Sequence, residues 1–197
     1  MDIIFCLVLI PVFLPLSAVI WLFIKIIDGV DPVFKQKRTG KLEQTINIYK
    51  FRSMYDNTET VTKTGGFLRR FRLDELPQLI NILRGDISIV GPRPLALEDY
   101  QIITSALPAN SIRSIIKPGL TGWAQLNFKA PPNYSAAEQS LNEKLLDAAK
   151  TRLCYYIWYI KNRSFFLDVE IMFKTAKRAF IKDKKFEIYF SNREFVK

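Results

Sequence analysis

The sequence contains no histidine and only two cysteines among its 197 residues. Without histidine the chain cannot build a His-ligated zinc site or a Ser-His-Asp triad, so metal ligation and acid–base chemistry fall mainly to aspartate and glutamate. Cys6 lies in an apolar run and Cys154 in a predicted helix, so we expect both to be reduced, buried packing residues. These absences exclude a disulfide framework and a CxxC redox site.

Charge is missing from residues 3–24, although the chain as a whole is strongly basic. With 29 Lys and Arg against 19 Asp and Glu, its net charge is +10, which indicates an anionic partner such as nucleic acid, acidic lipid or a phosphorylated substrate. The uncharged run is long enough, as a helix of about 33 Å, to cross the hydrocarbon layer of a bilayer. It lacks the basic start and the small-residue cleavage site of a signal peptide.

Two prolines interrupt this run, and they leave two arrangements open. Composition favours a kinked spanning helix, whereas a proline near the middle also permits a re-entrant helix that dips into one leaflet and returns. Positive charge begins only at Lys25, which predicts that the bulk of the chain lies in the cytoplasm. The predicted organisation is a membrane helix over residues 1–27 and a cytosolic, membrane-associated domain over residues 28–197.

The pattern of the remaining chain predicts a mixed, helix-rich α/β domain. Residues 45–54 alternate as in a strand, which places Lys50 and Arg52 on one side, either solvated or facing a phosphate. The other predicted elements are a connector over residues 28–44, polar loops over 55–66 and 128–137, and helices over 95–107, 138–160 and 164–182.

The last predicted helix has an apolar stripe beside a basic side. The stripe comprises Phe166, Val169, Phe173, Ala176 and Phe180, and the basic side comprises Lys174, Lys177, Arg178 and Lys182. Such an amphipathic helix suits a membrane surface, and it equally suits packing on the domain core with its lysines solvated.

The stretch from Leu73 to Pro94 is the most informative part of the sequence. Its leucines and isoleucines, at residues 76, 79, 80 and 83, repeat at helical spacing and predict one buried face. Asp74 suits the N-cap of this helix and Gly85 its C-terminal end. Residues 87–90 predict a short strand that runs into the rigid turn Gly91-Pro92-Arg93-Pro94.

Acidic and basic side chains converge on the start of this helix. Asp74 and Glu75 have an ordinary interpretation as a capped, acidic first turn. Three arginines just upstream, at residues 69, 70 and 72, and Arg93 downstream favour a second interpretation, which is a site for a phosphate substrate and a bridging divalent cation. Further along, glycines 119 and 122 would let a ligand approach the backbone beside Trp123, which is otherwise a core residue.

These motifs together resemble the bacterial sugar transferase family, the monotopic phosphoglycosyl transferases, over nearly the whole chain. The matching segments are Asp2 with the apolar run, Pro32-Val33-Phe34 with Gln36 and Arg38, Tyr49 to Met54, Phe67-Leu68-Arg69, Leu73 to Leu79, Gly85-Asp86, Val90 to Pro94, Lys117 to Gln125, and Lys161-Asn162 with Ser164 and Asp168. Several motifs in one order are more specific than any single motif.

The resemblance implies a site and a membrane arrangement. It makes Asp74 the nucleophile, places Mg²⁺ at Asp74 and Glu75, and makes the N-terminal helix re-entrant with its kink at Pro15. The residues implied to contact phosphate or other parts of the substrate are Lys50, Arg52, Arg69, Arg93 and Gln125. The sequence departs from the family pattern at Leu14, Arg72 and Tyr156, where the family usually has Ser, Ser or Thr, and Asp.

The function implied by the resemblance is transfer of a phosphosugar from a UDP-sugar to undecaprenyl phosphate, with release of UMP. This is the first membrane step of glycan assembly, for O-antigen, capsule, exopolysaccharide or glycoprotein. The implied partners are these two substrates, membrane lipids and downstream glycosyltransferases, without nucleic acid, and pairing with a second copy of the chain is left open. The implied location is the cytoplasmic face of the bacterial inner membrane. Two alternatives stay open at this point: a membrane-anchored module that binds nucleic acid or acidic lipid, and an inactive scaffold of the family.

Overall fold

A computed structural model describes residues 2–56, 60–128 and 140–180, and within these ranges it contains seven α-helices and four short strands. The mixed, helix-rich α/β class predicted from the sequence is therefore confirmed. The chain divides into two compact units, the first formed by Met1–Lys37 and Ile46–Asp86 and the second by Arg38–Thr45 and Ile87–Lys197. The predicted division into a membrane helix and a cytosolic domain at residues 27 and 28 concerns the membrane, and it stays a prediction.

Helix α1, Asp2–Phe23, begins the first unit and includes both prolines of the apolar run. It continues into a π-helical turn, Ile24–Asp28, that ends at Gly29 with a left-handed φ of 68°. The combined helix is long and apolar enough to cross a membrane. Its C-terminal part packs into the unit, because Ile20 and Ile24 form a buried cluster with Phe51 and Leu68. Most of its other apolar side chains are exposed.

Strands β1, Val33–Thr39, and β2, Thr45–Phe51, pair in a two-stranded sheet. The prediction of a connector over residues 28–44 is wrong, because β1 occupies its middle part. The strand was missed because its side chains are mostly polar, so that no apolar alternation marks it. Strand β2 ends before Arg52, earlier than predicted.

The central stretch begins differently from its prediction. Helix α2, Gly65–Arg70, is followed by a separate 3₁₀ turn, Leu73–Glu75, and helix α3 spans only Gln78–Arg84. Asp74 is therefore not an N-cap of α3, because Pro77 occupies that position and its side chain offers no acceptor. The predicted end is confirmed, since Gly85 follows α3 with a left-handed φ of 78°.

Helix α3 also buries a face other than the predicted one. Ile80 and Leu83 are 50% and 39% exposed, while Gln78, Asn81 and Ile82 are buried. Asn81 explains this orientation, because its Oδ1 accepts a hydrogen bond from the Tyr49 amide (3.0 Å) and its Nδ2 donates to the Asn47 carbonyl (2.7 Å). One buried amide thus satisfies backbone groups of β2, and leaving these unpaired would cost more than exposing two apolar side chains.

The second unit centres on strands β3, Ser88–Val90, and β4, Gly119–Thr121, which pair in parallel. Between them lie helix α4, Leu97–Ala106, and a 3₁₀ helix, Pro108–Ile115, and after β4 comes α5, Trp123–Asn127. The core cluster of this unit comprises Leu95, Tyr100, Ile103, Leu145 and Ala149, with Leu107 packed against it. The predicted strand and the predicted helix over residues 95–107 are confirmed.

Helix α6, Leu141–Asn162, begins with a capping box. The Glu143 amide donates to Ser140 Oγ, the Ser140 amide donates to the Glu143 carboxylate (2.8 Å), and these hydrogen bonds lower the pKa of Glu143. Cys154 on this helix is exposed, so its prediction as a buried residue is wrong, whereas Cys6 is buried as expected. Trp158 stacks on Trp123 at a centroid distance of 4.4 Å.

Helix α7, Phe165–Phe180, packs on the two parallel strands through the face opposite its apolar stripe. Ile171 is fully buried, and Thr175 Oγ1 lies 2.6 Å from Thr121 Oγ1. Phe166 and Phe173 are 82% and 72% exposed, so the alternative in which the stripe packs on the core is wrong for these residues. The last two residues of the predicted helix and most of the predicted loop over 128–137 lie outside the described ranges.

Candidate active site

The acidic pair lies on a tight turn of the first unit. Arg72 enters this turn with a left-handed φ of 55°, which few non-glycine residues adopt, and the 3₁₀ turn Leu73–Glu75 follows at once. Asp74 is half-buried, whereas Glu75 is only 8% exposed. Arg72 NH1 lies 3.4 Å from Glu75 Oε2, so the two residues form an ion pair within the turn. The turn therefore holds Glu75 inward and leaves Asp74 the more accessible carboxylate.

Arg69 joins this turn to the segment that follows β2. Its Nε donates to Ser53 Oγ (2.9 Å), and its guanidinium also lies 2.9 Å from Met54 Sδ. Both partners belong to the Tyr49–Met54 motif, so the two motifs that carry the family resemblance meet in one unit. Lys50 is half-buried at the end of β2 in the same unit.

Arg52 is braced by neighbours in the first unit. Its Nε donates to the Asp31 carbonyl (2.7 Å), its NH1 pairs with the Asp56 carboxylate, and its guanidinium lies 6.0 Å from the Phe34 ring centroid. These contacts give Arg52 a structural task in fixing the chain around β2. Its predicted contact with substrate stays a prediction.

The other two predicted binding residues belong to the second unit. Arg93 is half-buried in the turn after β3, and its carbonyl accepts a hydrogen bond from Arg113. Gln125 is buried on α5, with its Nε2 3.5 Å from the Leu120 carbonyl, at the limit of a hydrogen bond. The amide of Gln125 faces the protein interior, and its contact with substrate stays a prediction. Pro15, the predicted kink, is exposed within α1.

The donor set of the acidic pair suits a magnesium ion. Mg²⁺ is typically held by one or two carboxylates together with substrate phosphates and water, and Asp74 with Glu75 supplies two. Among the described residues there is no group of three His, Cys, Asp or Glu that could form a complete metal cage. A cation at this turn would therefore draw its remaining ligands from substrate and water.

Three features near the predicted site residues were missed at the level of sequence. Arg72 was grouped with the upstream arginines, although its spacing of three residues from Glu75 fits an ion pair inside one turn. The fully buried Asn81 was hidden in an apolar run, where a single amide gives no periodic signal. The hydrogen bond from Arg113 to Arg93 joins residues twenty positions apart, and nothing in the sequence pattern indicates it.

The family described as bacterial sugar transferase matches residues 1–182 of this chain. The chain belongs to that family. A UDP-N-acetylgalactosamine-undecaprenyl-phosphate N-acetylgalactosaminephosphotransferase of Aeromonas hydrophila is 35% identical over 189 residues, covering 90% of this chain and 42% of that protein. A UDP-glucose:undecaprenyl-phosphate glucose-1-phosphate transferase of Escherichia coli (strain K12) is 34% identical over 192 residues, covering 91% and 39%.

A third relative has a length closer to that of this chain. It is an uncharacterised sugar transferase of Bacillus subtilis (strain 168), 36% identical over 165 residues, which cover 79% of this chain and 73% of the relative. This chain thus spans about two fifths of the first two relatives and most of the third.

Proposed function

We propose that this chain transfers a phosphosugar from a UDP-sugar to undecaprenyl phosphate and releases UMP. The observation that carries the proposal is the turn Arg72–Glu75, where a half-buried Asp74 adjoins a more deeply buried, ion-paired Glu75 within a family matched from residue 1 to 182. The names of two relatives, one acting on UDP-N-acetylgalactosamine and one on UDP-glucose, support this substrate class.

In the first half-reaction, Asp74 is the nucleophile. One oxygen of its carboxylate bonds to the β-phosphorus of the UDP-sugar, while the bond from that phosphorus to the bridging oxygen breaks and UMP leaves with the electron pair. The product is an aspartyl phosphosugar on the protein. In the second half-reaction, a phosphate oxygen of the lipid attacks the same phosphorus, and the carboxylate of Asp74 is regenerated.

The other charged residues hold the reacting groups. Arg69 and Arg93 are proposed to bind phosphate oxygens, because a guanidinium fork matches two oxygens at once, and Lys50 adds positive charge in the first unit. Glu75, held by Arg72, orients the turn that presents Asp74. Mg²⁺ held by Asp74 and Glu75 would lower the repulsion between carboxylate and diphosphate when bound.

The membrane arrangement is part of the same proposal, because the acceptor is a lipid. We propose that α1 is re-entrant, with its bend at Pro15, and that the stripe of α7 lies at the membrane surface on the cytoplasmic face of the inner membrane. The exposed apolar side chains of α1, and Phe166 and Phe173 of α7, support contact with lipid.

The activity is tested by a screen of UDP-sugars for UMP release, with undecaprenyl phosphate in detergent. The proposal expects release with at least one UDP-sugar, and loss of release when EDTA exceeds Mg²⁺. Full turnover in excess EDTA would contradict the role of the cation. If no UDP-sugar supports UMP release, the result favours the alternative in which the chain is an inactive scaffold. Binding to DNA that weakens steeply as salt is added would favour the alternative of a nucleic-acid-binding module.

The arrangement of α1 is tested by cysteine labelling. A cysteine is added before Asp2 in a variant in which Cys6 and Cys154 are replaced by alanine, and whole cells are treated with a reagent that cannot cross the inner membrane. Protection from labelling supports the re-entrant arrangement. Labelling from the periplasmic side would show a spanning helix. Replacing Pro11 and Pro15 by leucine should favour spanning, because leucine restores the helix that proline weakens.

A further inference from the structure

The second unit contains a buried guanidinium that the reaction above does not use. Arg113, in the 3₁₀ helix Pro108–Ile115, is 6% exposed. Burial lowers the pKa of Arg113, and the cationic Arg152 nearby lowers it further, while Tyr156 acts in the opposite direction. Arginine is rarely buried without a carboxylate partner, since an unpaired charge is costly away from water.

No carboxylate pairs with Arg113 in the described part of the second unit. Its NH2 group donates to the carbonyl of Arg93, and its guanidinium carbon lies 4.6 Å from the ring centroid of Tyr156. Tyr156 is itself buried on α6. An aromatic face at this distance stabilises a desolvated cation. The ring of Tyr156 is therefore the partner that stabilises the buried guanidinium, in place of a carboxylate.

The helix that carries Arg113 is anchored independently of the Arg93 turn. The hydroxyl of Ser114 donates to the hydroxyl of Tyr100 (3.2 Å), and the hydroxyl of Tyr100 donates to Glu43 Oε1 (2.8 Å). All three side chains belong to the second unit. Ser114, the neighbour of Arg113, is thus linked through Tyr100 of α4 to Glu43 in the connection between β1 and β2. Arg113 is therefore a fixed point to which the Arg93 turn is attached.

We infer that Arg113 is a positioning residue, held by the ring of Tyr156, that fixes the backbone of Arg93 and thereby aims the Arg93 guanidinium at the diphosphate of a nucleotide sugar. This inference rests on the proposed function for its ligand. A carbonyl tied to a buried donor restricts the rotation of the turn, so that Arg93 loses less conformational freedom when it binds phosphate.

The test measures UDP affinity by calorimetry on the full chain with Mg²⁺, so it does not depend on turnover. Arg113→Met keeps most of the side-chain volume and removes the donor, and it should weaken UDP binding about tenfold, the range of one charge-assisted hydrogen bond. Arg113→Lys keeps a donor and should weaken it less. Arg178→Met is the matched control, because the Arg178 guanidinium donates to the carbonyl of Leu126 and not to the Arg93 turn, and it should leave UDP affinity unchanged.

The decisive comparison uses the Arg93→Ala background. If Arg113 acts through Arg93, Arg113→Met should cause little further loss of UDP affinity there. An equal loss in both backgrounds, or no loss in either, would overturn the inference. Should Arg113→Met fail to fold, the same comparison is made with Arg113→Lys.

The role of Tyr156 gives a second, independent test. Tyr156→Leu removes the ring and should weaken UDP binding, whereas Tyr156→Asp supplies a carboxylate to the buried guanidinium and should bind UDP more tightly than Tyr156→Leu. The reverse order would contradict the pairing of Tyr156 with Arg113. If the Arg113 and Arg93 substitutions are coupled in their effect on UDP affinity but no UDP-sugar supports UMP release, the proposed function is refuted and this inference stands. If the wild-type chain does not bind UDP, the inference is refuted.

Discussion

Two turns of this chain present the charged groups of the proposed reaction, and they are built in opposite ways. The turn of Asp74 is closed by contacts within itself, since the Glu75 amide donates to the Arg72 carbonyl (3.2 Å) and the left-handed Arg72 pairs with the Glu75 carboxylate. The turn of Arg93 is held by residues distant in sequence: the Arg113 side chain donates to its carbonyl, and two backbone hydrogen bonds join it to β4, from the Gly91 amide to the Thr121 carbonyl (2.8 Å) and from the Gly119 amide to the Pro92 carbonyl (2.9 Å).

The difference fits the two tasks. A nucleophile must approach a phosphorus, form a bond to it and release it again, so the turn that carries it needs room to adjust. A group that holds phosphate oxygens contributes most when it is already in place, because no reorganisation is then required during the reaction. We therefore expect substitutions at the first turn to change chemistry more than stability, and substitutions beside the second turn to change stability first.

The largest expected effect comes from Asp74→Asn in the first turn. The amide keeps the shape of the side chain but is a far poorer nucleophile, so the covalent phosphosugar adduct should vanish and UMP release should fall at least about a thousandfold. The measurement is intact-protein mass spectrometry after incubation with the accepted UDP-sugar and Mg²⁺, without lipid acceptor.

The matched variant for Asp74→Asn is Glu75→Gln. It should slow turnover and still form the adduct, because the nucleophile remains. If Asp74→Asn still forms the adduct, or turns over at the normal rate, then another residue is the nucleophile or the transfer is direct.

Next in size is the expected loss of stability for Gly91→Ala, beside the second turn. A Cβ at this position would lie 2.5 Å from the Lys117 carbonyl oxygen and 2.9 Å from the Gly119 nitrogen, which are backbone atoms of the adjoining strand segment. Overpacking of this kind should cost about 2 kcal/mol or more, measured by thermal unfolding in detergent.

Gly66→Ala is the control for this effect. Gly66 lies in helix α2, where an added Cβ would meet nothing within 4 Å, so alanine should stabilise by up to about 1 kcal/mol. Equal melting temperatures for the two variants would contradict the close approach of the strands at Gly91.

A smaller effect is expected for Arg93→Lys, which keeps the positive charge of the second turn but removes the guanidinium fork, the pair of N–H donors that can bind two phosphate oxygens. The loss of a two-pronged phosphate contact should lower kcat/KM about tenfold, with the melting temperature unchanged. Arg84→Lys makes the same change on α3, where Arg84 NH1 contacts the Tyr49 hydroxyl, and should leave kcat/KM unchanged. A similar loss in both variants would show that net charge, and not the fork, is what matters.

The sequence predicted the second turn better than the first. Pro92, Pro94 and the glycines restrict the backbone through local geometry, so the strand and turn over residues 87–94 could be expected from composition alone. The helix start at Asp74 could not, because the left-handed conformation of Arg72 has no composition signal, and the 3₁₀ turn Leu73–Glu75 that follows it delays the start of α3 to Gln78. The exposed face of α3 was also unpredictable, since one buried Asn81 outweighed the periodicity of its apolar neighbours.

The smallest expected effect is that of Arg72→Gly, and its size distinguishes the two turns. A non-glycine residue at a φ of 55° costs about 1 kcal/mol, which glycine avoids. The substitution also removes a partly exposed ion pair worth about 0.2–1 kcal/mol and adds the larger backbone freedom of unfolded glycine. These contributions nearly cancel, so the free energy of unfolding should change by less than about 1 kcal/mol, measured in detergent beside Lys150→Gly.

The control, Lys150, lies within α6, where glycine should cost about 1 kcal/mol in full, because no left-handed conformation is relieved there. If Arg72→Gly instead destabilises the chain by several kcal/mol, the Asp74 turn depends on the Arg72 side chain as rigidly as the Arg93 turn depends on its strands, and the contrast between them fails.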